Sequence, residues 1–180
     1  KRLSLPAVPI PQDAQGMSVS ALAQSGAAVC HITPSHQFPL GLSMPVGRRA
    51  ELLRWASERP DRLIIEDDYD SEFRHFSRPL PALQGLDAAG RVAYIGTFSR
   101  SLAPSMRLAY MVLPPALLSS YRESQIKSGE TVSRFEQQTL ARFIAEGYYA
   151  RHLRRAGNAY AARLTALLAL LKAIPGSSVS

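Results

Sequence analysis

The 180-residue chain contains one cysteine, Cys30, so it has no cysteine pair for an intrachain disulfide and no cysteine-rich metal site. Cys30 lies in the apolar stretch from Ala27 to Ile32, which favours a buried structural thiol in a reducing cytoplasm over a nucleophile. No apolar run approaches the ~20 residues that a membrane-spanning helix needs. The first residues also lack the apolar core of a signal peptide. We therefore expect a cytoplasmic protein with no membrane partner.

Lysine is scarce as well, because nearly all of the 21 cationic residues are arginines. The formal net charge of +7 invites comparison with nucleic-acid-binding proteins. The basic residues are spread along the chain, however, and the one dense patch consists of Arg151, Arg154 and Arg155. No recognition-helix, zinc-finger or aromatic RNA-binding signature accompanies that patch, and a solvated helix face explains it better. We expect only weak, salt-sensitive association of this chain with DNA.

The pattern of apolar residues predicts strands that alternate with helices. Predicted strands cover residues 27–32, 62–66, 92–97 and 108–113, and predicted helices cover 18–25, 46–57, 114–127, 133–146 and 149–173. Leu63, Ile64 and Ile65 form the unbroken apolar run of a central parallel strand. We therefore predict one α/β domain with a mostly parallel sheet and flanking helices.

Two of the predicted helices carry features that the structure can test. The helix over 149–173 is long and amphipathic, with apolar residues at steps of three and four: Tyr149, Leu153, Ala156, Tyr160, Leu164, Leu167 and Leu171. In the helix over 46–57, we expect Leu52, Leu53 and Trp55 to supply apolar surface. Arg48 and Arg49 are expected to be solvated on the first turns of that helix.

Two short motifs lie where predicted strands end. Asp67 and Tyr69 follow one strand, and Thr97, Ser99 and Arg107 belong to a segment that follows another. Because ligands of open α/β sheets bind at the carboxyl ends of strands, we expect the two motifs to share a site. An acid there can keep a pyridine nitrogen protonated, and a nearby tyrosine can hydrogen-bond a phenolate oxygen. A Thr/Ser pair with a later arginine can hold a phosphate dianion.

The phrases Thr33–Pro39, Glu66–Phe73 and Gly96–Leu102 resemble one family in their order and spacing. That family is the aminotransferase-like domain of MocR-type transcriptional regulators, a branch of the GntR superfamily. Residues 81–84 and 110–115 extend the resemblance, so that it covers essentially the whole chain.

The resemblance implies a fold-type-I transferase domain that binds pyridoxal 5'-phosphate (PLP) and forms a homodimer when the protein is complete. It implies that residues 1–147 are part of the PLP-binding large domain. Residues 148–180 would be a long helix leading towards a small C-terminal domain outside this sequence. DNA would be bound only through an N-terminal helix-turn-helix domain, also outside this sequence, and the effector would be an amine or amino acid. We therefore expect a central fragment of a regulator.

The family's site residues carry over to matching positions of this sequence. Asp67 resembles the partner of the pyridine nitrogen, and Tyr69 resembles the hydrogen-bond partner of the ring oxygen. Thr97 and Ser99 resemble phosphate contacts, and Arg107 resembles the phosphate-binding arginine. No metal ligands are implied.

Arg100 stands where the family has the lysine that forms a Schiff base with the cofactor. A guanidinium group stays protonated and is a poor nucleophile, so we do not expect catalysis through Arg100. PLP should bind non-covalently, if it binds at all. Phe38 stands where ordinary aminotransferases have an asparagine before proline, which removes one usual contact to the ring oxygen.

Three functions stay open at this stage: an effector-sensing domain of a regulator, an active aminotransferase of amino and keto acids, and a non-binding dimerisation scaffold. Single residues also have simpler interpretations. Asp67 and Asp68 could be an exposed strand-end pair, Tyr69 a packing residue, and Arg107 the start of a strand. His36 is not included among the catalytic residues, because a loop histidine is more often structural. Glu66, His31 and His75 do not form a credible metal cluster.

Overall fold

The computed structural model describes residues 5–73, 80–128 and 132–174. These residues form two compact units. The first contains the described residues up to Ser71 together with 80–128, and the second contains residues 72–73 and 132–174. The expected division into a large domain over 1–147 and a helix over 148–180 stays a prediction.

The first unit is built on a four-stranded sheet. Its strands are β3 (Val29–Ile32), β4 (Leu63–Asp68), β5 (Val92–Thr97) and β6 (Ala109–Val112), in the order β3-β4-β5-β6. The first three strands are parallel, and β6 pairs antiparallel with β5. Two short strands, β1 (Gln12–Asp13) and β2 (Gly16–Met17), form a separate antiparallel pair. The prediction of an α/β fold with a mostly parallel sheet is confirmed.

The first unit also contains four helices, three of which the sequence predicts. They are α1 (Val19–Gln24), α2 (Val46–Ser57), α3 (Leu83–Leu86) and α4 (Leu118–Ser128), and a 3-10 turn over Pro115–Leu117 precedes α4. Helix α3 lies outside the predicted helices. Ser18 caps α1, because its Oγ accepts a hydrogen bond from the N–H of Ala21 at 3.3 Å. The second unit contains α5 (Arg134–Ala145) and α6 (Tyr148–Lys172).

The core of the first unit forms where α2, α3 and the sheet strands bury their apolar side chains together. Leu52 and Trp55 of α2 are buried with Ile64 of β4 and Leu83 of α3, and Leu53 packs partly against them. Cys30 is also buried, and burial raises the pKa of its thiol to about 12. The interpretation of Cys30 as a structural thiol is therefore confirmed, since a protonated buried thiol is a poor nucleophile at neutral pH.

The expectation that Arg48 and Arg49 are solvated is wrong, most clearly for Arg49. Arg49 is fully buried, and its guanidinium group donates to three backbone carbonyls at 2.9 to 3.0 Å: those of Met44, Pro81 and Pro34. The Arg48 side chain is 12% exposed and donates to the Asp13 carboxylate. Loop carbonyls have no strand partner to satisfy them, and the five N–H donors of an arginine can serve several at once.

The second unit consists mainly of α5 and α6, and α6 confirms the predicted long helix. Phe73 meets Tyr160 of α6 edge to face at 5.1 Å, and the Tyr149 hydroxyl donates to Oε1 of Glu72 at 3.4 Å. No residue of α6 is fully buried, and Leu167 of the apolar stripe is 51% exposed. The arginine patch at 151, 154 and 155 is exposed, in agreement with a solvated face. Among the described residues, no helix has the length and apolarity to cross a membrane.

Candidate functional site

The candidate site lies where β4 and β5 end beside each other. The parallel register pairs Asp67 with Ile95 and Asp68 with Gly96, so Asp67 and Thr97 come at the carboxyl ends of neighbouring strands. Each strand then continues into a loop that carries further predicted site residues, Tyr69 after β4 and Ser99 after β5. The sequence therefore correctly predicted that the two motifs meet at one edge of the sheet.

A direct contact joins the two motifs. The guanidinium carbon of Arg100 lies 5.8 Å from the centre of the Tyr69 ring, within the range of a cation–π interaction. Burial raises the pKa of the Tyr69 hydroxyl, and the nearby Asp70 carboxylate adds to this while Arg100 opposes it. Tyr69 therefore stays protonated at neutral pH and can donate a hydrogen bond.

Asp67 and Asp68 lie on opposite faces of β4, because successive strand side chains alternate. The Asp67 side chain is 36% exposed, and its Oδ2 lies 3.3 Å from Nε2 of His31 on β3. Asp68 is buried and accepts hydrogen bonds from the hydroxyls of Tyr94, at 2.9 Å, and Ser71. The interpretation of the two acids as an exposed strand-end pair is wrong for Asp68, and Asp67 alone is available to a ligand.

Hydroxyl groups close the loop that follows β5. The Thr97 hydroxyl donates to the carbonyl of Leu108 at 3.3 Å and accepts from the N–H of Ser99 at 3.2 Å. The Ser99 hydroxyl donates to the carbonyl of Met106 at 2.9 Å. Both protons are therefore used within the loop, while the oxygens keep acceptor capacity. To donate to a phosphate, each hydroxyl must rotate away from its carbonyl.

Arg107 lies at the end of the same loop with its side chain exposed. Within the described part of the chain, no hydrogen bond or ion pair joins Arg107 to Thr97 or Ser99. The structure thus brings Tyr69 to Arg100 and Thr97 to Ser99. Arg107 is close to Thr97 and Ser99 in the sequence, but its side chain is exposed to solvent.

His36 belongs to the site, although sequence analysis did not include it. The carbonyl of His36 accepts a 2.7 Å hydrogen bond from the Tyr69 hydroxyl, and the two rings stack with centres 6.2 Å apart. Nδ1 of His36 also lies 2.6 Å from Oδ2 of Asp70. His36 lies in the phrase Thr33–Pro39, which carries part of the family resemblance. The spacing of motifs in the sequence does not show, however, that this loop contacts Tyr69. The neighbouring Phe38 is 79% exposed.

A buried carboxylate next to the site joins strand β4 to helix α3. Glu66, beside Asp67 on β4, is fully buried, and its two oxygens accept 2.9 Å hydrogen bonds from the N–H groups of Leu83 and Gln84. Burial raises the pKa of Glu66, while the two N–H donors and the charge of Arg49 oppose that rise. Glu66 therefore anchors the start of α3 to β4 and is not available to a ligand.

An apolar cavity of about 890 Å³ lies in the first unit, between residues 5–10 and strand β3. Cys30, Ile32 and Met44 are among its lining residues, but Asp67, Tyr69, Thr97, Ser99, Arg100 and Arg107 are not. The cavity adjoins the candidate site, because His31, the contact of Asp67, also lines it.

The donor set at the ends of β4 and β5 suits a phosphorylated pyridine. Asp67 offers a carboxylate to a ring N–H, Tyr69 offers a hydroxyl to a ring oxygen, and Arg100 and Arg107 present exposed cations suited to a phosphate. Among the described residues, no group of three or more histidine, cysteine or acidic side chains could hold a metal ion. The chemistry of Asp67, Tyr69 and the two arginines thus fits PLP, but no amine stands at position 100, and the hydroxyl protons of Thr97 and Ser99 are used within their own loop.

Several curated relatives of the chain are transcriptional regulators. It is 43% identical over 171 residues to the uncharacterized HTH-type transcriptional regulator YhdI of Bacillus subtilis, covering 95% of this chain and 36% of YhdI. It is 43% identical to the probable rhizopine catabolism regulatory protein MocR of Rhizobium meliloti, covering 92% of this chain and 33% of MocR. The chain matches the aminotransferase-like domain of MocR-type transcriptional regulators. No protein-family model matches it.

A third MocR-type relative is named for the pathway it controls. The pyridoxine biosynthesis regulator PdxR of Corynebacterium glutamicum is 34% identical, covering 96% of this chain and 37% of PdxR. The chain thus spans about a third of the length of the curated relatives it matches.

Solved structures confirm the fold-type-I prediction for this MocR-type domain. Kynurenine aminotransferase of Pyrococcus horikoshii, solved with PMP, superposes with a TM-score of 0.82 at 31% identity, covering 94% of this chain and 44% of that one. The α-aminoadipate aminotransferase LysN of Thermus thermophilus, solved with N-(5'-phosphopyridoxyl)-L-leucine, gives 0.74 at 27% identity, covering 91% and 43%.

Proposed function

We propose that this domain binds PLP non-covalently and acts as the effector-sensing part of a transcriptional regulator. The observation that carries the proposal is the contact between Tyr69 and Arg100, which brings the two motifs together in a chain related to MocR-type regulators. Related aminotransferases of this fold were solved with PMP in one case and with N-(5'-phosphopyridoxyl)-L-leucine in another, which supports a site for a phosphorylated pyridine. PLP supplies an electron-withdrawing pyridinium ring wherever it is bound.

Each site residue has a stated task in this proposal. Asp67 holds a proton on the pyridine nitrogen, and its 3.3 Å contact with His31 orients the carboxylate. Tyr69 donates its hydroxyl proton to the ring oxygen. Thr97 and Ser99 turn their hydroxyls from the Leu108 and Met106 carbonyls towards the phosphate, a change that exchanges one hydrogen bond for a charge-assisted one.

Arg100 and Arg107 contribute positive charge. Both side chains are exposed, so both can turn towards a phosphate dianion without breaking an ion pair within the described residues. Arg100 occupies the lysine position of the family, and its guanidinium cannot form the covalent bond that a lysine forms. Because position 100 keeps a positive charge but has no amine, it favours binding of the cofactor phosphate without supporting catalysis.

The remaining parts of the proposal concern the whole regulator. An amine or amino acid bound beside the cofactor would favour one arrangement of a homodimer and so shift the DNA-binding state. DNA would be contacted through an N-terminal helix-turn-helix domain, as the names of the relatives suggest, and the protein would work in the cytoplasm. We propose further that this sequence is a central fragment of that regulator.

The rival proposal is an active aminotransferase, which the solved relatives favour. Arg100 argues against it, because transamination requires an amine at this position. A non-binding dimerisation scaffold is the third candidate, and it predicts that the protein shows no saturable binding of PLP.

Equilibrium binding of PLP to the intact protein that carries this sequence tests the proposal, with cofactor absorbance as the readout. We expect saturable binding that is lost on gel filtration in denaturant. Asp67→Asn should weaken it about 10- to 100-fold, because a charge-assisted hydrogen bond is removed. Asp61→Asn removes a carboxylate from the exposed pair with Arg59 and is the matched control. Absence of binding, or equal binding by both variants, would contradict the proposal.

A further inference from the structure

His36 contacts Tyr69 through both its backbone and its side chain. The Tyr69 hydroxyl donates to the His36 carbonyl at 2.7 Å, and the His36 ring stacks against the Tyr69 ring with 17° between their planes. Two separate contacts from one residue restrict both the tilt of the phenol ring and the direction of its hydroxyl. A tyrosine without these contacts would rotate freely until a ligand bound, and the loss of that freedom on binding would reduce the affinity.

The His36 side chain has a further polar contact besides Tyr69. Its Nδ1 lies 2.6 Å from Oδ2 of Asp70, the residue that follows Tyr69 in the sequence. Gly41 lies beside the ring, with φ of +69°, a conformation that favours glycine. The stack on Tyr69 and the contact with Asp70 therefore give the half-exposed His36 ring a preferred position before any ligand arrives.

The loop that carries His36 is closed by backbone hydrogen bonds. The N–H of Gln37 donates to Leu42 at 2.9 Å, that of Gly41 donates to Gln37 at 2.7 Å, and that of Met44 donates to Pro34 at 2.8 Å. Buried Arg49 binds the carbonyls of Pro34 and Met44, which lie at the two ends of this loop. The loop that contacts Tyr69 is thus held in place by its own hydrogen bonds and by Arg49.

We propose that His36 is a positioning residue that holds the Tyr69 phenol in the orientation needed at the cofactor site, an inference that rests on the proposed PLP binding. When Tyr69 turns its proton to a ligand, a water can take its place at the carbonyl of His36, which is an exposed residue. The ring stack and the Asp70 contact persist through that exchange. Tyr69 therefore loses little freedom on binding, and this preorganisation increases affinity.

The first experiment follows amide hydrogen exchange in the intact protein without cofactor. His36→Ala should speed exchange at Gln37 and Gly41 about three- to five-fold, because the loop loses its side-chain contacts with Tyr69 and Asp70. His36→Asn can restore a donor to Asp70, and His36→Phe can restore the ring stack, so each should recover part of the protection. Arg59→Ala breaks another exposed 2.6 Å pair, with Asp61, and should change nothing at these amides. Unchanged exchange in all three His36 variants would overturn the proposal.

The second experiment is a double-mutant cycle on the dissociation constant of PLP. His36→Ala should raise that constant about three- to ten-fold, the effect expected when an ordered side chain is freed. In a Tyr69→Phe background, the same change should have less than about a two-fold effect, since there is no hydroxyl left to position. Equal effects in the two backgrounds would show a merely structural role. If the unsubstituted protein does not bind PLP, the proposed function fails, while hydrogen exchange still decides the role of His36.

Discussion

Tyr110 lies directly over Gly96, its register partner in the antiparallel pair of β5 and β6. A Cβ at position 96 would lie 2.6 Å from the Tyr110 hydroxyl oxygen and still nearer to the ring carbon that bears it. The Tyr110 ring also meets those of Tyr94 and Phe98 at 5.9 and 5.3 Å, while the residue is 40% exposed. Glycine at position 96 therefore allows the ring to lie on the backbone, and any side chain there would force the ring to shift.

Gly96→Ala should destabilise the protein by about 1 kcal/mol, because the new methyl group displaces the Tyr110 ring from its contacts with Tyr94 and Phe98. Tyr110→Ala in the same chain should recover part of that loss by removing the ring. Urea denaturation of the two variants measures both effects. Gly47→Ala is the control, since nothing lies within 4 Å of a Cβ there and alanine favours the α2 helix. A Gly96→Ala protein as stable as Gly47→Ala would show that Tyr110 can move away.

Regular elements of the first unit were predictable because they depend on local patterns. The bounds of α2 and β5 agree with the prediction, since each has a continuous run of suitable residues. The four-residue helix α3 was missed, because it depends on Glu66 accepting its first N–H groups from another part of the chain. The antiparallel direction of β6 was not predicted either, as apolar periodicity is the same in both directions.

In the candidate site, likewise, the positions of residues at strand ends were predictable, but their hydrogen-bond partners were not. The sequence placed Asp67 and Thr97 at the ends of neighbouring strands, and the structure has them there. The contact between Tyr69 and Arg100 was not predicted. The bonds of Thr97 and Ser99 to carbonyls of their own loop could not be read from sequence, because they depend on the path of the backbone. The buried Arg49 was missed for the same reason, since a helix pattern does not reveal which carbonyls lie above it.

Arg49→Met should cost about 3 kcal/mol or more of folding stability, because three carbonyls lose their donor. Arg49→Lys should recover only part of this, since an ammonium group cannot span three acceptors held in different directions. Arg54→Met alters an exposed arginine of the same helix and should lie within about 0.5 kcal/mol of the unsubstituted protein. Thermal and urea unfolding provide the measurement. Similar stabilities for the Arg49 and Arg54 variants would show that the bonds from Arg49 to the loop carbonyls do not stabilise the fold.

Glu66 should make the stability of the protein depend on pH. Burial raises its pKa above the ordinary value of 4.5, so the folded state holds this proton more tightly than the unfolded state does. The contribution of Glu66 is therefore most favourable below that ordinary value and declines as pH rises through the folded-state pKa. Glu66→Gln should remove this decline, and the stability of the variant should gain on that of the unsubstituted protein as pH rises above 4.5 and through the folded-state pKa of Glu66.

Urea denaturation at several pH values tests this sign. Glu123→Gln, on an exposed face of α4, is the matched control for loss of one carboxylate. A difference between Glu66→Gln and the unsubstituted protein that stays constant across the range would contradict the role of burial. A difference of opposite slope would show that the N–H donors of Leu83 and Gln84 outweigh burial.

Arg100→Lys should convert non-covalent cofactor binding into a borohydride-trappable attachment in the intact protein that carries this sequence. The guanidinium carbon already lies 5.8 Å from the centre of the Tyr69 ring, so we expect the amine of a lysine at this position to lie near the same ring. A lysine provides the nucleophile that arginine lacks. Mass spectrometry of reduced peptides should find the label at position 100.

Arg107→Lys is the matched control for that experiment, because it places a lysine in the same loop at a position expected to contact phosphate. It should bind PLP without a borohydride-stable label. The lysines already in the sequence, Lys1, Lys127 and Lys172, lie outside both site motifs. Label on the unsubstituted protein at a single pocket lysine would overturn non-covalent binding and favour the aminotransferase. Absence of label from Arg100→Lys, despite retained PLP binding, would show that position 100 does not reach the cofactor.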